Sequence, residues 1–470
     1  MQLPPSKYFK SLTVSLLCLL NLSQLSAQNI YFSTKHAVSE LATIKRVITD
    51  YHPSPFRYIS ETSWHNRYQE VLSAITQKDT ISTFEFLSLA GPLVTLMRDE
   101  HSKLSPNKDL LKNNIETRRL FPFEVSRSSD NAFIIRKIID SSIDQGFIGR
   151  KINAINGQQV SKIIETLQLC IGSSASSDYS GTLYHALNFD NFSRLYFLCC
   201  DQSEKFDIQF SSGEKKQFPG YRPSKRAGTL YKFNAENSPE FYISNDASLA
   251  YLKVSSFWPD AFNSSLKRTK EAVDGYFQQL KDRQVSKIVI DVRGNRGGTP
   301  FISTYLAGYF FQQPYRPFLQ VTAKRKAAED FPKQFKGPRK PEFTTGSEIV
   351  TLPKRLQGFE TNHAKNLIFN GEVVVLIDAG SGSASTIFAS LMSKVQNIQF
   401  LGQETLGDGA NTTGGQYSTF DLPYSKLTLR IPLLMFHHGP NEAFYGVKAD
   451  SAEIDSTLLL NKTKALQSHK

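Results

Sequence analysis

Two short apolar runs, each closed by a glycine-rich turn, restrict this chain more than any other feature. Ile288-Val289-Ile290-Asp291-Val292 runs into Arg293-Gly294-Asn295-Arg296-Gly297-Gly298, and Val373-Val374-Val375-Leu376-Ile377 runs into Asp378-Ala379-Gly380-Ser381-Gly382-Ser383. Runs of this length and apolarity suit strands buried on both faces, which occur in parallel sheets. Parallel neighbours need a crossover, and Leu266 to Leu280 supplies a helical pattern with Val273, Phe277 and Leu280 on its inner side. With Tyr251 to Val254 as an earlier strand, the expectation is an α/β domain built on a parallel sheet covered on both faces.

Ligands of open α/β sheets bind where strands end at their carboxyl termini. Glycines there admit φ > 0 and let backbone N–H groups approach a phosphate or an oxyanion. The first turn lacks both the P-loop lysine and the dinucleotide spacing, so taken alone it selects neither ligand. The second turn ends in Ser383-Ala384-Ser385-Thr386, and Ile387 to Met392 then reads as a helix. A serine at such a strand-to-helix turn serves either as a helix cap or as a nucleophile, with helix amides facing developing negative charge.

Upstream, Leu41, Ile44, Val47 and Ile48 share one helical face, as do Phe86, Leu89, Leu93, Leu96 and Met97, and His52-Pro53-Ser54-Pro55 breaks the pattern between them. A small helical cap is expected, ending at Asp99-Glu100-His101-Ser102. From Phe121 to Pro219 the pattern becomes short strands such as Phe133-Ile134-Ile135 and Leu195-Tyr196-Phe197-Leu198. Within it, Ile148 to Val160, with an Asn156-Gly157 turn, resembles the core of a PDZ domain, a module that holds extended peptides at a sheet edge. A plain hairpin in an unrelated β domain would leave the same trace.

At 470 residues, two or three domains are expected, and 40% hydrophobic with 21% charged residues is ordinary globular usage. Lys7 and Lys10, the apolar stretch Leu12 to Leu22 and Leu25-Ser26-Ala27 form the three-part pattern of a secretory signal, with cleavage expected after Ala27. The stretch is too short to span a bilayer, so export to the periplasm or exterior without a membrane anchor is expected. Cys18 lacks a lipobox. Past the signal stand Cys170, Cys199 and Cys200, which permit one bridge from Cys170 to either neighbour or three buried thiols. No Cys/His spacing suggests a metal site, and no cofactor is implied. The net charge is +12, and much of the basic character sits between Lys324 and Lys354, beside Pro332, Pro338, Pro341 and Pro353. Such a stretch is a solvated loop or a surface for acidic partners, and no nucleic-acid motif accompanies it.

Taken together, the turn Val292 to Gly298, the turn Gly380 to Ser385 and Leu401-Gly402-Gln403-Glu404-Thr405-Leu406-Gly407-Asp408-Gly409 resemble, in order, three motifs of the tail-specific and tricorn-type serine peptidases. The resemblance covers roughly residues 245 to 455. It implies a ClpP/crotonase-like α/β catalytic domain at 235–470, preceded by a PDZ-like domain at 120–220 and a helical cap domain at 28–110, after the 1–27 signal. It also implies that Ser383 is the nucleophile, that the amides of Gly297, Gly298 and Ala384 form the oxyanion hole, and that peptides or unfolded proteins are the substrates. Asp291 and Arg293 would hold the strand end. Where the tail-specific branch carries its lysine base this chain has Asp408, so a Ser-Lys dyad is not available. Lys394, on the helix after the nucleophile, reads as a solvated side chain. The tricorn-type branch uses a histidine base, and His101 stands at the corresponding point, with Glu442 as the supporting acid. Glu100 occupies the place of that branch's serine. His437 and His438 are the fallback bases. The rival expectations are a binding protein on the same scaffold and a hydrolase of non-peptide esters.

Overall fold

The computed structural model describes residues 30–458 apart from 112–116, 129, 172–174, 176–182, 184–186, 188–190, 224–237, 263–264, 336–346, 353–366, 440–444 and 456–457. The secretory pattern at 1–27, Glu442 and much of the basic stretch lie outside the described residues.

After the short strand Tyr31–Ser33, which pairs with Thr80–Ser82, the described chain forms three helices, Thr34–Tyr51, Glu61–Thr76 and Thr83–Thr95, whose first turns are capped by the side chains of Ser33, Ser60 and Ser82. The first stops at His52-Pro53, because proline excludes the helical conformation for the residue before it. Its buried face is Ala37, Leu41, Ile44, Val47 and Ile48. These side chains pack into the same apolar core as the strands of the later α/β region, so the cap shares a core with the sheets instead of forming its own.

A separate unit follows. Strands Phe123–Arg127, Phe133–Ile138, Lys151–Ile155, Lys205–Phe210 and Lys215–Pro219 form one antiparallel sheet, with Gln158–Gln159 pairing on Lys151–Ile155 and helices Val160–Ile171 and Asn191–Cys199 beside it. Its core is aromatic, centred on Phe121, Phe123, Phe133, Phe192, Phe206, Phe210 and Phe218. The run Leu195 to Leu198, expected as a strand, is helical. Phe192 and Tyr196 face this core at helical spacing, while Phe197 turns the other way to meet Phe84 and Leu120. Burial on two sides made a helix read as an all-apolar strand.

In the α/β region, Leu249–Lys253, Lys287–Asp291, Glu372–Ile377 and Ile398–Gly402 run parallel in that spatial order, with Glu240–Ile243 antiparallel at one edge. The helix Leu266–Asp282 buries Val273, Phe277 and Leu280 as its pattern predicts. Together with helices Pro300–Ala307 and Ala384–Met392 it covers one face, through Ile288, Ile290, Val373 and Val375. Among the described residues, the opposite face, Tyr251, Val289, Val374, Leu376 and Leu401, packs against Tyr242, Leu249, Ile454 and Leu458.

A second, antiparallel sheet was not foreseen. Two long strands, Asn411–Leu422 and Leu427–His437, pair with each other, and Leu427–His437 also pairs with Lys103–Pro106 and with Gln320–Lys324, which in turn pairs with Ile349–Thr351. The start of the basic stretch is therefore a strand followed by the short helix Arg325–Asp330, not a loop. Pairing of Lys103–Pro106 into this sheet carries the preceding Asp99-Glu100-His101 onto the edge of the α/β region.

Candidate active site

Because Lys287–Asp291 and Glu372–Ile377 are adjacent and parallel, their two glycine-rich turns leave the sheet side by side. They are laced together: Val292 N–H donates to the Leu376 carbonyl at 3.0 Å, Gly382 N–H to the Asn295 carbonyl at 3.0 Å, Ser381 Oγ to the Val292 carbonyl at 2.7 Å and Gly294 N–H to Asp378 Oδ1 at 2.8 Å. Asp291 takes both Arg293 Nε at 2.9 Å and the Tyr251 hydroxyl at 2.6 Å, which holds the strand end.

Ser383 caps the helix Ala384–Met392 with φ 54° and ψ −117°, a backbone state that costs about 1–3 kcal/mol and that the surrounding bonds must enforce. The close approach of the first turn requires glycine. A Cβ on Gly297 would lie 2.8 Å from Ala384 N and from Ser383 Cβ, and one on Gly298 would lie 2.3 Å from the Phe257 backbone carbon. The Gly297 amide, expected in an oxyanion hole, donates to Asn295 Oδ1 at 2.9 Å. Ala384 N–H, the first amide of its helix, has no intrahelical acceptor. Gly298 bridges Phe257, whose carbonyl takes the next amide, that of Thr299, at 3.0 Å.

His101 reaches this corner from the cap side. Its Nε2 is 3.1 Å from Ser383 Oγ, and its Nδ1 is 3.2 Å from Thr413 Oγ1, on the strand Asn411–Leu422. Thr413 Oγ1 donates to Asp99 Oδ1 at 2.6 Å. Asp99 is buried and accepts as well from His101 N–H at 3.0 Å, Ser102 Oγ at 2.7 Å and His52 Nε2 at 2.7 Å. Burial opposes its charge, but the bonds from His101 and His52 prevail and hold its carboxyl well below the usual range. His101 is raised: burial disfavours the charged ring, and the Glu100 and Asp99 carboxylates outweigh it. Glu100, 3.8 Å from His101 Nδ1, is itself raised by burial.

The other expected residues sort plainly. Asp408 is buried and anchors the cap: Arg57 Nε donates to it at 2.9 Å, the Tyr58 hydroxyl at 2.7 Å and the Ala410 amide at 2.7 Å. Lys394 is exposed and its ammonium bonds the His438 carbonyl. His437 is tied between Asn411 and Thr322, and His438 between Ser390 and Thr412, with burial pushing His438 down to about 3. Neither histidine bonds Ser383. Thr413 escaped sequence reasoning because it belongs to none of the motifs and reaches His101 across 312 residues. The three cysteines of the described chain are free thiols. Among the described residues no His/Cys/Asp/Glu cluster suits a metal ion, and no helix is long and apolar enough to cross a membrane.

Residues 248–452 match Peptidase family S41. Among solved structures, mature CPAF is similar at 12% identity over 89% of this chain and 92% of that one, with a TM-score of 0.60. Mature CPAF complexed with lactacystin is similar at 13% identity over 89% and 93%, also with a TM-score of 0.60. At such identities the likeness is one of fold.

Proposed function

We propose that the chain, whose residues 248–452 match Peptidase family S41, is a serine peptidase that hydrolyses peptide bonds through an acyl-enzyme on Ser383 with His101 as base. The single observation behind this reading is the 3.1 Å contact between His101 Nε2 and Ser383 Oγ, made at a strained turn facing a helix N-terminus.

In the first half-reaction, the Ser383 proton passes to His101 Nε2 as Oγ bonds the scissile carbonyl carbon and the carbonyl electrons move onto oxygen. The Ala384 and Gly298 amides are the donors proposed for that oxyanion. Collapse expels the amine, which takes the proton from His101, and leaves the ester on Ser383. Water, deprotonated by the same imidazole, then releases the acyl group. An imidazole suits this exchange near neutral pH, where a carboxylate at position 408 does not, its acceptor capacity being spent on Arg57, Tyr58 and Ala410.

Three finer points belong to the same reading. The catalytic region is of the ClpP/crotonase type. The antiparallel unit around Phe123–Pro219 is PDZ-like and guides an extended peptide; its support is the Asn156-Gly157 turn followed by the helix Val160–Ile171. The protein is exported, on the strength of the pattern ending at Ala27.

The test is labelling of the purified protein by a fluorophosphonate, with lactacystin as competitor because it is the ligand of the CPAF complex. Wild type is expected to label, and Ser383→Ala and His101→Ala are not. A folded wild type that stays unlabelled and leaves peptides intact would replace this reading with a binding protein. Label together with ester but no peptide turnover would replace it with an esterase.

A further inference from the structure

We infer that Thr413 and Asp99 are the positioning residues that set the tautomer and orientation of His101, in the place where an acid from the Glu442 segment was expected. The inference rests on the reading of Ser383 and His101 as nucleophile and base.

The donor and acceptor inventory fixes the direction of the chain of bonds. Ser54 N–H can only donate, and it meets His52 Nδ1 at 3.1 Å, so Nδ1 of that ring accepts. The neutral ring then carries its proton on Nε2, which points at Asp99 Oδ2 at 2.7 Å. Asp99 thus accepts there, as it does from the Ser102 hydroxyl and the His101 amide. A carboxylate with these donors around it also accepts from Thr413, whose single hydroxyl proton is spent on Oδ1 at 2.6 Å. What Thr413 Oγ1 can offer His101 at 3.2 Å is a lone pair, so His101 Nδ1 carries the proton. Nε2 is left unprotonated toward Ser383 Oγ, the state a general base requires.

The same arrangement stabilises the imidazolium formed during attack. Asp99 Oδ1 lies 3.6 Å from His101 Nδ1, and the Thr413 hydroxyl bridges them. The neighbouring acid fits less well. Glu100 Oε1 at 3.8 Å is beyond hydrogen-bond reach of Nδ1. The remaining groups facing the ring are Tyr417, 5.9 Å away between ring centres, and Arg430, which lies over Tyr417 and opposes the imidazolium charge.

The experiment is the pH dependence of peptide turnover by the full chain and four variants, with thermal unfolding measured alongside. Thr413→Val keeps the side-chain shape and removes the hydroxyl. It is expected to lower kcat about 10²–10³-fold with KM within about twofold of wild type, and Thr413→Ser to restore most of the loss. Asp99→Asn removes one of the two carboxylate charges that, with Glu100, raise His101, so the acidic limb of kcat/KM is expected to move to lower pH. Should Asp99→Asn fail to fold, the valine and serine pair decides alone. An active wild type whose turnover and acidic limb survive Thr413→Val would overturn the inference while leaving the peptidase intact. So would a Glu442→Gln variant that reproduces the limb shift when Thr413→Val does not. A wild type that neither labels nor cleaves removes the premise and with it this inference.

Discussion

The Ser383 half of the candidate site and the His101 half are built by different means. Ser383, Gly297, Gly298 and Ala384 sit on two turns that leave adjacent parallel strands, and their geometry is set by local backbone bonds such as Gly382 N–H to Asn295 and Ser381 Oγ to Val292. His101 is positioned by side-chain bonds that tie its segment to other elements: Thr413 from a strand of the second sheet, and its near neighbour Asp99, itself held by His52 from the end of the first cap helix. A site made from backbone turns resists relaxation but tolerates no added atom. One made from side-chain bonds between elements depends on how those elements dock. The two halves should therefore fail in different ways.

The largest difference is expected on the nucleophile side. In Gly298→Ala the new Cβ would fall 2.3 Å from the Phe257 backbone at a φ of 148°, so the turn must move. A loss of about 3 kcal/mol in stability is expected from strain and overpacking. If Gly298 N–H is an oxyanion donor, kcat falls a further 10²–10³-fold or so beyond any unfolding. Equal activity per folded molecule would show that the two turns can slide, and the contrast between the halves would lose its basis.

On the base side the sensitive point is a docking contact and not a reacting group. Asp408 is buried against Arg57 and Tyr58, which belong to the segment just after His52. Asp408→Ala leaves the Arg57 guanidinium, only 14% exposed, without its carboxylate, at an expected cost of about 3–5 kcal/mol. Through the cap the loss should reach His52, Asp99 and His101, and turnover should fall about tenfold, less than in Gly298→Ala. Thermal unfolding beside kcat checks both. A stability loss with unchanged kcat would mean that His101 does not depend on the cap for its position.

This contrast also explains what could be read in advance. The nucleophile turn was legible because glycine requirements and apolar strand runs are properties of contiguous residues, and Asp291 to Gly298 and Asp378 to Ser383 carry them openly. The helix Leu266–Asp282 was legible for the same reason. The second sheet was not. Asn411–Leu422 is polar and interrupted by Gly414 and Gly415, and Leu427–His437 contains Pro432, which argues against a central strand. Pro432 faces Tyr417, just past the register shift between Gly414 and Tyr417, so an irregularity in the ladder accommodates it. Thr413 lies beside that irregularity, and nothing in its neighbours along the chain marks it as a partner of His101. Its meaning exists only once Lys103–Pro106 has paired with Leu427–His437.

The smallest expected effect tests whether the base half is distant at all. Lys394 follows the helix that Ser383 starts, and although the residue as a whole is exposed, partial desolvation of its ammonium lowers it, a property that a lysine base would need. If it served Ser383, both halves of the site would come from one contiguous segment and the contrast would collapse. Geometry argues otherwise: eleven residues of helix and turn separate the two by roughly 15 Å along the axis. The ammonium is moreover spent on the His438 carbonyl, at the end of the second sheet. Lys394→Met should leave fluorophosphonate labelling and kcat at wild-type values and change stability by no more than about 0.5–1 kcal/mol. Labelling lost in this variant but kept in His101→Ala would move the base to the nucleophile's own helix. Labelling kept here and lost in His101→Ala leaves the base where the bonds to Thr413 and Asp99 hold it.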